Sequence, residues 1–418
     1  MNPSDLRVII PVGGEAKRLK PLTAEVSKAV VRIFCRPIVE FAMAELANQG
    51  VRDFVFGVKG YVNYRSLFDY FGDGIGFSAQ YGISPRIHIK YQPHIEDVGS
   101  ADSVRVNLDY YDIKSPVMVV QGDNLFELNL VDLLAFHEER QALMTVVLTP
   151  VEEVEGYGIA DLGSDGRIRR FVEKPKREDA PSRLANTGIY LLSPHVRDLF
   201  DDRRVQAMIH EKKRLDFGMD FIPFITENGY PIYGYILRGE WYDVGTPRGY
   251  LDTVSRVLKS GRTPFYFGEP APNLGRVWIQ GQSPESIGRR QEIIDKIRQC
   301  KVKLEGSVMV GRHCMIGDGA IIRDSCIDNF CIIGKDVTVE RSALMDRALI
   351  GDGAHIQDSI IGRHVRINSR RERPTWVVDL CVIGDDVAVG VGCSMAAAKV
   401  FPHKTISDGS KVFRETIQ

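Results

Sequence analysis

The 418-residue sequence has no apolar run approaching the roughly 20 residues a membrane helix requires, and its opening MNPSDLR carries no hydrophobic leader core. These absences predict a cytoplasmic protein with no membrane partner. Neither sign of charge is in excess: 54 Lys and Arg stand against 55 Asp and Glu, a formal net charge of −1. A nucleic-acid partner is therefore not expected, and any cation cluster must be local. Cysteine is scarce and irregular. Seven residues without a CxxC pair favour neither a zinc site nor a disulfide framework. The two familiar phosphate loops, GxxxxGK[ST] and a complete GxGxxG, are missing from the glycine-bearing loop after the first strand.

That loop nevertheless reads as a polyphosphate site. The β-branched run RVII leads into Gly13-Gly14, and Lys17, Arg18, Lys20 and Lys28 follow within one connection. Further on, PIVEFAMAELANQG places Ile38, Phe41, Ala42 and Leu46 on one helical face and ends at Gly50. DFVFGV reads as the next strand, and SPVMVVQGDN as a central strand ending at Gly122-Asp123. This alternation predicts a doubly wound, Rossmann-like α/β sheet. Ligands then sit at the carboxyl ends of the strands, where the cationic loop and Asp123 both fall.

The second half has another rhythm. From Val310 an aliphatic residue recurs at Ile316, Ile322, Ile327, Ile333, Val339, Leu344, Ile350, Ile356, Ile361 and Ile367. Two positions earlier stands a small or β-branched residue, and Gly311, Gly317, Gly334, Gly351 and Gly362 directly follow aliphatic positions, where tight corners are expected. This is the hexapeptide pattern of a parallel β-helix, interrupted by NSRRERPTW and resumed at Ile383 and Val389. Cys314, Cys331, Cys381 and Cys393 occupy the small-residue slot and read as apolar filler. His313, His355 and His364 raise the question of acyl transfer, but no acceptor-site signature accompanies them. Between the halves lie a Pro/Gly-rich linker and a helix, PESIGRRQEIIDKIRQC, expected to pack between domains. The divisions are 1–255, a 256–305 linker with one helix, and 306–418.

Read together, several stretches resemble the sugar-1-phosphate nucleotidyltransferase family. They are Gly13-Gly14 with Arg18-Leu19, Pro21-Leu22-Thr23 and Val26-Ser27-Lys28, then EDVGSAD (96–102), QGDNLF, GYGIADLGSDGRIRRFVEKP, ANTGIY and WYDVGTP (241–247). They keep the family's order over about residues 5–255. The closing KVFPHKTI and RIRRFVEKP are similar to the GDP-mannose pyrophosphorylase branch, whose C-terminal domain is a left-handed β-helix. VSK and GDNLF are shared with enzymes that uridylylate or thymidylylate glucose-1-phosphate.

The resemblance implies the reaction NTP plus sugar-1-phosphate giving NDP-sugar plus pyrophosphate. The nucleophile is a phosphate oxygen, anionic at neutral pH, so alignment and charge neutralisation matter more than a general base. Arg18, Lys28 and Lys174 are the implied catalytic cations. Gly13, Gly14, Lys17, Glu96, Gly99 and Ser100 are the implied nucleotide contacts. Gly158, Glu173, Asn186 and Thr246 line the sugar, and Asp123 and Asp243 share Mg2+. Ala16 stands for a family glycine and Lys17 for a threonine. These departures leave open a non-catalytic regulatory subunit that binds nucleotide-sugar. Homo-oligomerisation through the β-helix is also expected.

Overall fold

The computed structural model describes residues 1–418 except 15, 94–96, 264–266, 268, 269 and 272. It divides into two compact units that do not follow the chain linearly: residues 1–14 with 39–241, and residues 15–38 with 242–418. Among the described residues no helix is long and apolar enough to cross a membrane.

The first unit is built on a nine-stranded sheet. Its strands are β1 (Arg7–Val12), β2 (Asp53–Val58), β3 (His88–Pro93), β4 (Val117–Val120), β5 (Met144–Pro150), β6 (Gly158–Leu162), β7 (Ile168–Glu173), β8 (Leu184–Leu192) and β9 (Ile232–Ile236). They run in the order β7-β6-β8-β4-β1-β2-β3, with β5 beside β8 and β9 beside β5. The parallel half expected from the sequence is β4-β1-β2-β3. Val8, Ile9, Ile10 and Val117 to Val120 are all buried, as strands covered on both faces require. The chain order reverses between β4 and β1, so Gly13-Gly14 and Gly122-Asp123 leave neighbouring strands at the same sheet end. The other half departs from a purely doubly wound sheet: β8 is antiparallel to β4, β5 and β6, and β6 to β7.

The expected helix forms as α1 (Ile38–Asn48), with Ile38, Phe41, Ala42 and Leu46 all buried. Helix α2 (Ser100–Tyr110) begins directly after Gly99.

In the second unit, short parallel strands stack into three sheets, a β-helix. Ile316, Ile333, Ile350 and Ile367 pair coil to coil, and every aliphatic position of the sequence pattern from Val310 to Ile367 is buried. The interruption is absorbed within one coil: Ile361 pairs with Ile383 and Ile367 with Val389, so the sheets continue in step. Cys314, Cys331, Cys381 and Cys393 are buried free thiols, donating to the carbonyls of Asp328, Met345, Val378 and Ser407. His313 stacks on Phe330 and His355 on Trp376, each one coil away, so these two rings serve the stack.

The glycine pattern has a different cause from the expected one. Left-handed corners are carried by His313, Phe330, Arg347 and His364 and by Gly319, Asp336 and Gly353. Gly317 and Gly334 are not left-handed; a Cβ on Gly317 would stand 2.6 Å from Gly334 of the next coil. Close approach between coils, not φ, excludes a side chain there. Helix α3 (Pro247–Ser260) precedes the described parts of the Pro/Gly-rich stretch. Helix α4 (Pro284–Arg298) closes the first coil, adding Ile293 and Ile294 to the β-helix core.

Candidate active site

In the first unit, the loop after β1 exposes Gly13 and Gly14. A Cβ on Gly13 would stand 3.1 Å from Lys59 and 3.8 Å from an oxygen of Asp97. Lys59 Nζ donates to the Asp97 carbonyl at 2.5 Å and lies 3.3 Å from its carboxylate. Lys59 is therefore a cation beside the glycine loop that the motif reading passed over. Glu96 lies outside the described residues.

Gly99 cannot carry a side chain: its φ is +149°, and a Cβ would meet the Leu215 carbonyl at 2.5 Å. That carbonyl accepts from the N–H groups of Ala101 and Asp102, and Leu215 N–H donates to Val98. Residues 98–102 of this stretch are thus stitched to a turn at 214–218. Ser100 Oγ donates to Asp216 at 2.8 Å and accepts from Phe217 N–H at 3.1 Å. Asp220, almost fully buried, accepts from Arg214 Nε at 2.9 Å and Asp216 N–H at 3.0 Å, fixing the turn from beneath.

This turn faces Glu173. Gly158 pairs with Glu173 across β6 and β7. A Cβ on Gly158 would fall 2.6 Å from Glu173 Oε2, and one on Gly218 would fall 2.3 Å from it. The carboxylate therefore rests in a cradle that only two glycines leave open. Burial raises the Glu173 pKa, opposed by Lys174 at 3.5 Å and assisted by the Asp216 charge. Lys174 is exposed, its backbone left-handed, and its N–H donates to the Tyr157 carbonyl. The ring of Tyr157 meets Trp241 edge-on at 5.5 Å. The indole Nε1 is buried without a hydrogen-bond acceptor among the described residues.

The NTGIY stretch is an irregularity in β8, where pairing to β5 shifts between Asn186 and Tyr190. Asn186 donates to the Tyr190 hydroxyl at 2.9 Å and accepts from Gly188 N–H at 3.0 Å. Gly188, at φ +76°, lets the bulge close on Gln121, and Asn124 donates to the Thr187 carbonyl at 2.7 Å. Asp123, half-buried, is carried between these two contacts.

In the second unit, the cationic segment forms two single-turn helices, Lys17–Leu19 and Lys28–Val30. Lys17 and Arg18 are exposed, Lys28 is half-buried, and buried Leu19 and Leu22 anchor the connection. Ala16 is left-handed at φ 44° and ψ 40°, so the backbone keeps the conformation that favours glycine despite the Cβ. Its carbonyl accepts from Thr23 Oγ1 at 3.0 Å. Arg18 and Asp243 converge on Gly245. A Cβ there would stand 3.3 Å from the guanidinium and 2.8 Å from Asp243 Oδ1, which accepts Gly245 N–H at 2.8 Å. Thr246 is the N-cap of α3, its hydroxyl accepting from Gly249 N–H.

Among the described residues, no group of three or more His, Cys, Asp or Glu side chains is placed to hold a metal. Asp123 and Asp243 are hard oxygen donors. Each by itself is the kind of oxygen ligand that Mg2+ carried on substrate phosphates accepts, not part of an all-protein cage.

A family model described as Nucleotidyl transferase matches residues 7–260, and one described as GMPPB C-terminal domain matches residues 304–417. The chain belongs to the nucleotidyl transferase family. It is 29% identical over 406 residues to a mannose-1-phosphate guanyltransferase of Pichia angusta, covering 96% of this chain and 98% of the relative. It is 28% identical over 349 residues to a UTP–glucose-1-phosphate uridylyltransferase of Synechocystis, covering 79% and 84%. A solved structure from Bacillus anthracis, assigned as a glucose-1-phosphate thymidylyltransferase, shares the fold with a TM-score of 0.50 at 21% identity, over 58% of this chain and 90% of that one.

Proposed function

We propose that this chain joins a nucleoside triphosphate to a sugar-1-phosphate with release of pyrophosphate, and that GTP and mannose-1-phosphate are its substrates. The observation that carries the reading is the match of both halves: a nucleotidyl transferase domain, then the GMPPB C-terminal domain. A relative named for mannose-1-phosphate spans 96% of the chain, β-helix included.

The sugar phosphate oxygen attacks the α-phosphorus while pyrophosphate leaves in line. Gly13 and Gly14 let backbone N–H groups approach the nucleotide. Arg18 takes the departing β- and γ-phosphates bidentately, and Lys28 and Lys17 add positive charge along them. Asp123 and Asp243 are the carboxylates for Mg2+, which supplies charge neutralisation on the phosphates. Glu173 accepts hydrogen bonds from sugar hydroxyls, Lys174 meets the sugar phosphate, and Gly158 and Asn186 shape the pocket. Ser100 and Gly99 act by holding Asp216 toward Glu173, and Thr246 by capping α3. We place the enzyme in the cytoplasm as a homo-oligomer joined through its β-helix, which native mass measurement after deleting residues 306–418 tests.

A second reading, uridylyl transfer to glucose-1-phosphate, is favoured by the Synechocystis relative. Pyrophosphate release from GTP, UTP, dTTP and ATP with mannose- or glucose-1-phosphate separates the two. Silence of folded protein across that panel identifies a regulatory subunit instead. Arg18→Ala is expected to lower kcat by about 100-fold with the fold retained. Unchanged turnover removes Arg18 from the mechanism.

A further inference from the structure

The segment bearing Arg18 and Lys28 groups with the β-helix, not with the sheet whose strand it follows. Among the contacts that fasten it there are two side-chain pairs. One is the bidentate pair Arg32–Asp328 within the packed interior. The other lies at the surface: His403 Nε2 stands 3.0 Å from both carboxylate oxygens of Glu25. Asp386 stands 3.9 Å from the other ring nitrogen, and His403 N–H donates to the Asp385 carbonyl at a left-handed corner.

We propose that His403 is a positioning residue for the nucleotidyl transfer: by clasping Glu25, the β-helix sets the segment that presents Arg18 and Lys28. Glu25 lies three residues before Lys28 and seven after Arg18. Its neighbours Leu22 and Thr23 are buried, so its backbone has little freedom to move independently of both cations. His403 and Glu25 are 59% and 54% exposed. An exposed pair adds little to folding, so stability alone gives the contact little to do. In-line phosphoryl chemistry is far more sensitive, since a shift of about 1 Å in a positioning group can cost 100-fold in rate. The C-terminal domain thus contributes to the reaction through a side chain that touches no substrate.

The inference rests on the reading of the 16–38 segment as a phosphate loop, and the test has one arm independent of it. His403→Ala and Glu25→Gln are made in the full chain, singly and together, with His403→Gln, whose amide can still donate to Glu25. Amide hydrogen exchange over residues 20–28, without substrate, is expected to quicken in both single variants and to return toward wild type in His403→Gln. In steady-state pyrophosphate release, kcat is expected to fall about tenfold in each single variant. The double variant falls no further, KM for sugar-1-phosphate stays within about twofold, and His403→Gln recovers most of the turnover. Unchanged exchange overturns the clasp, and quickened exchange with unchanged kcat overturns its role in positioning. If the wild type releases no pyrophosphate from any pair of substrates, the functional reading fails, and the exchange arm alone decides whether the clasp exists.

Discussion

Arg32 reaches Asp328 with Nε at 2.6 Å and Nη2 at 3.0 Å, across almost three hundred residues of chain, and the carboxylate is 4% exposed. The same guanidinium donates to the Cys35 carbonyl, and the buried Tyr250 hydroxyl donates to the Arg32 carbonyl at 2.6 Å. Burial raises the pKa of both Cys35 and Tyr250, keeping them neutral. These bonds explain why residues 15–38 group with the C-terminal unit.

Removing one partner of such a pair leaves the other charge buried and uncompensated, at about 3–5 kcal/mol. Asp328→Asn is therefore expected to lower the melting temperature markedly, and Arg32→Lys to lower it less, because an ammonium cannot fork across both oxygens. Thermal melts by near-ultraviolet circular dichroism check this. A variant melting with the wild type shows that the pair does not hold the segment.

Ala16 offers a gain in the opposite direction. A left-handed alanine costs about 1–2 kcal/mol, and glycine at the same position removes that cost. Glycine also enlarges the unfolded ensemble, an opposing effect of about 0.4–1 kcal/mol. A net stabilisation of a few tenths to about 1 kcal/mol is expected for Ala16→Gly, with turnover at least that of wild type. Urea unfolding measures the first and pyrophosphate release the second. Loss of stability would mean that the Cβ packs usefully where it stands.

His137 gives the first unit a pH dependence of known sign. The ring is buried against Thr145 Oγ1 at 2.8 Å, and burial pushes its pKa from 6.5 down to about 4. The unfolded chain then binds the proton more readily than the fold. The associated stability is complete above pH 6.5 and is lost as pH falls toward 4. Between pH 7 and 5 the loss is about 2 kcal/mol. His137→Asn, which keeps a hydrogen bond to Thr145 without titrating, is expected to lose that much less over the same interval. Equal losses in the two proteins would place the titration elsewhere.

The β-helix was legible nearly residue by residue, because each coil must bury one aliphatic per face and the pattern repeats without reference to distant sequence. Its glycines were misread: sequence spacing reveals that small residues are needed, but not whether φ or the adjacent coil demands them. The parallel half of the sheet was also legible from apolar runs ending in Gly13-Gly14 and Gly122-Asp123. The antiparallel half was not, since the direction in which β8 pairs leaves no local trace. The ordered motifs single out Arg18, Glu173 and Asp243 as candidates from sequence alone. Asp216, Gly218 and Lys59 could not be picked out, because they meet those candidates or the glycine loop only through contacts far off in the chain. The assignment of 15–38 to the C-terminal unit was hidden for the same reason: Arg32 and Asp328 are ordinary residues until they meet.

Gly218 offers the sharpest test of the proposed sugar contact of Glu173. Its Cα approaches Glu173 so closely that a methyl group would stand 2.3 Å from one carboxylate oxygen and 2.8 Å from its carbon. Gly218 N–H is also committed to Asp216 at 3.1 Å, so the turn cannot simply retreat. Gly218→Ala must therefore move the Glu173 carboxylate, while leaving the glycine-bearing loop after β1 untouched. KM for sugar-1-phosphate is expected to rise at least tenfold, since a charged hydrogen bond is worth about 1.5–3 kcal/mol, and KM for the nucleotide is expected to stay near wild type. Glu173→Gln, which keeps the shape and removes the charge, should raise the same constant alone. A rise confined to the nucleotide KM in either variant would move Glu173 out of the sugar pocket.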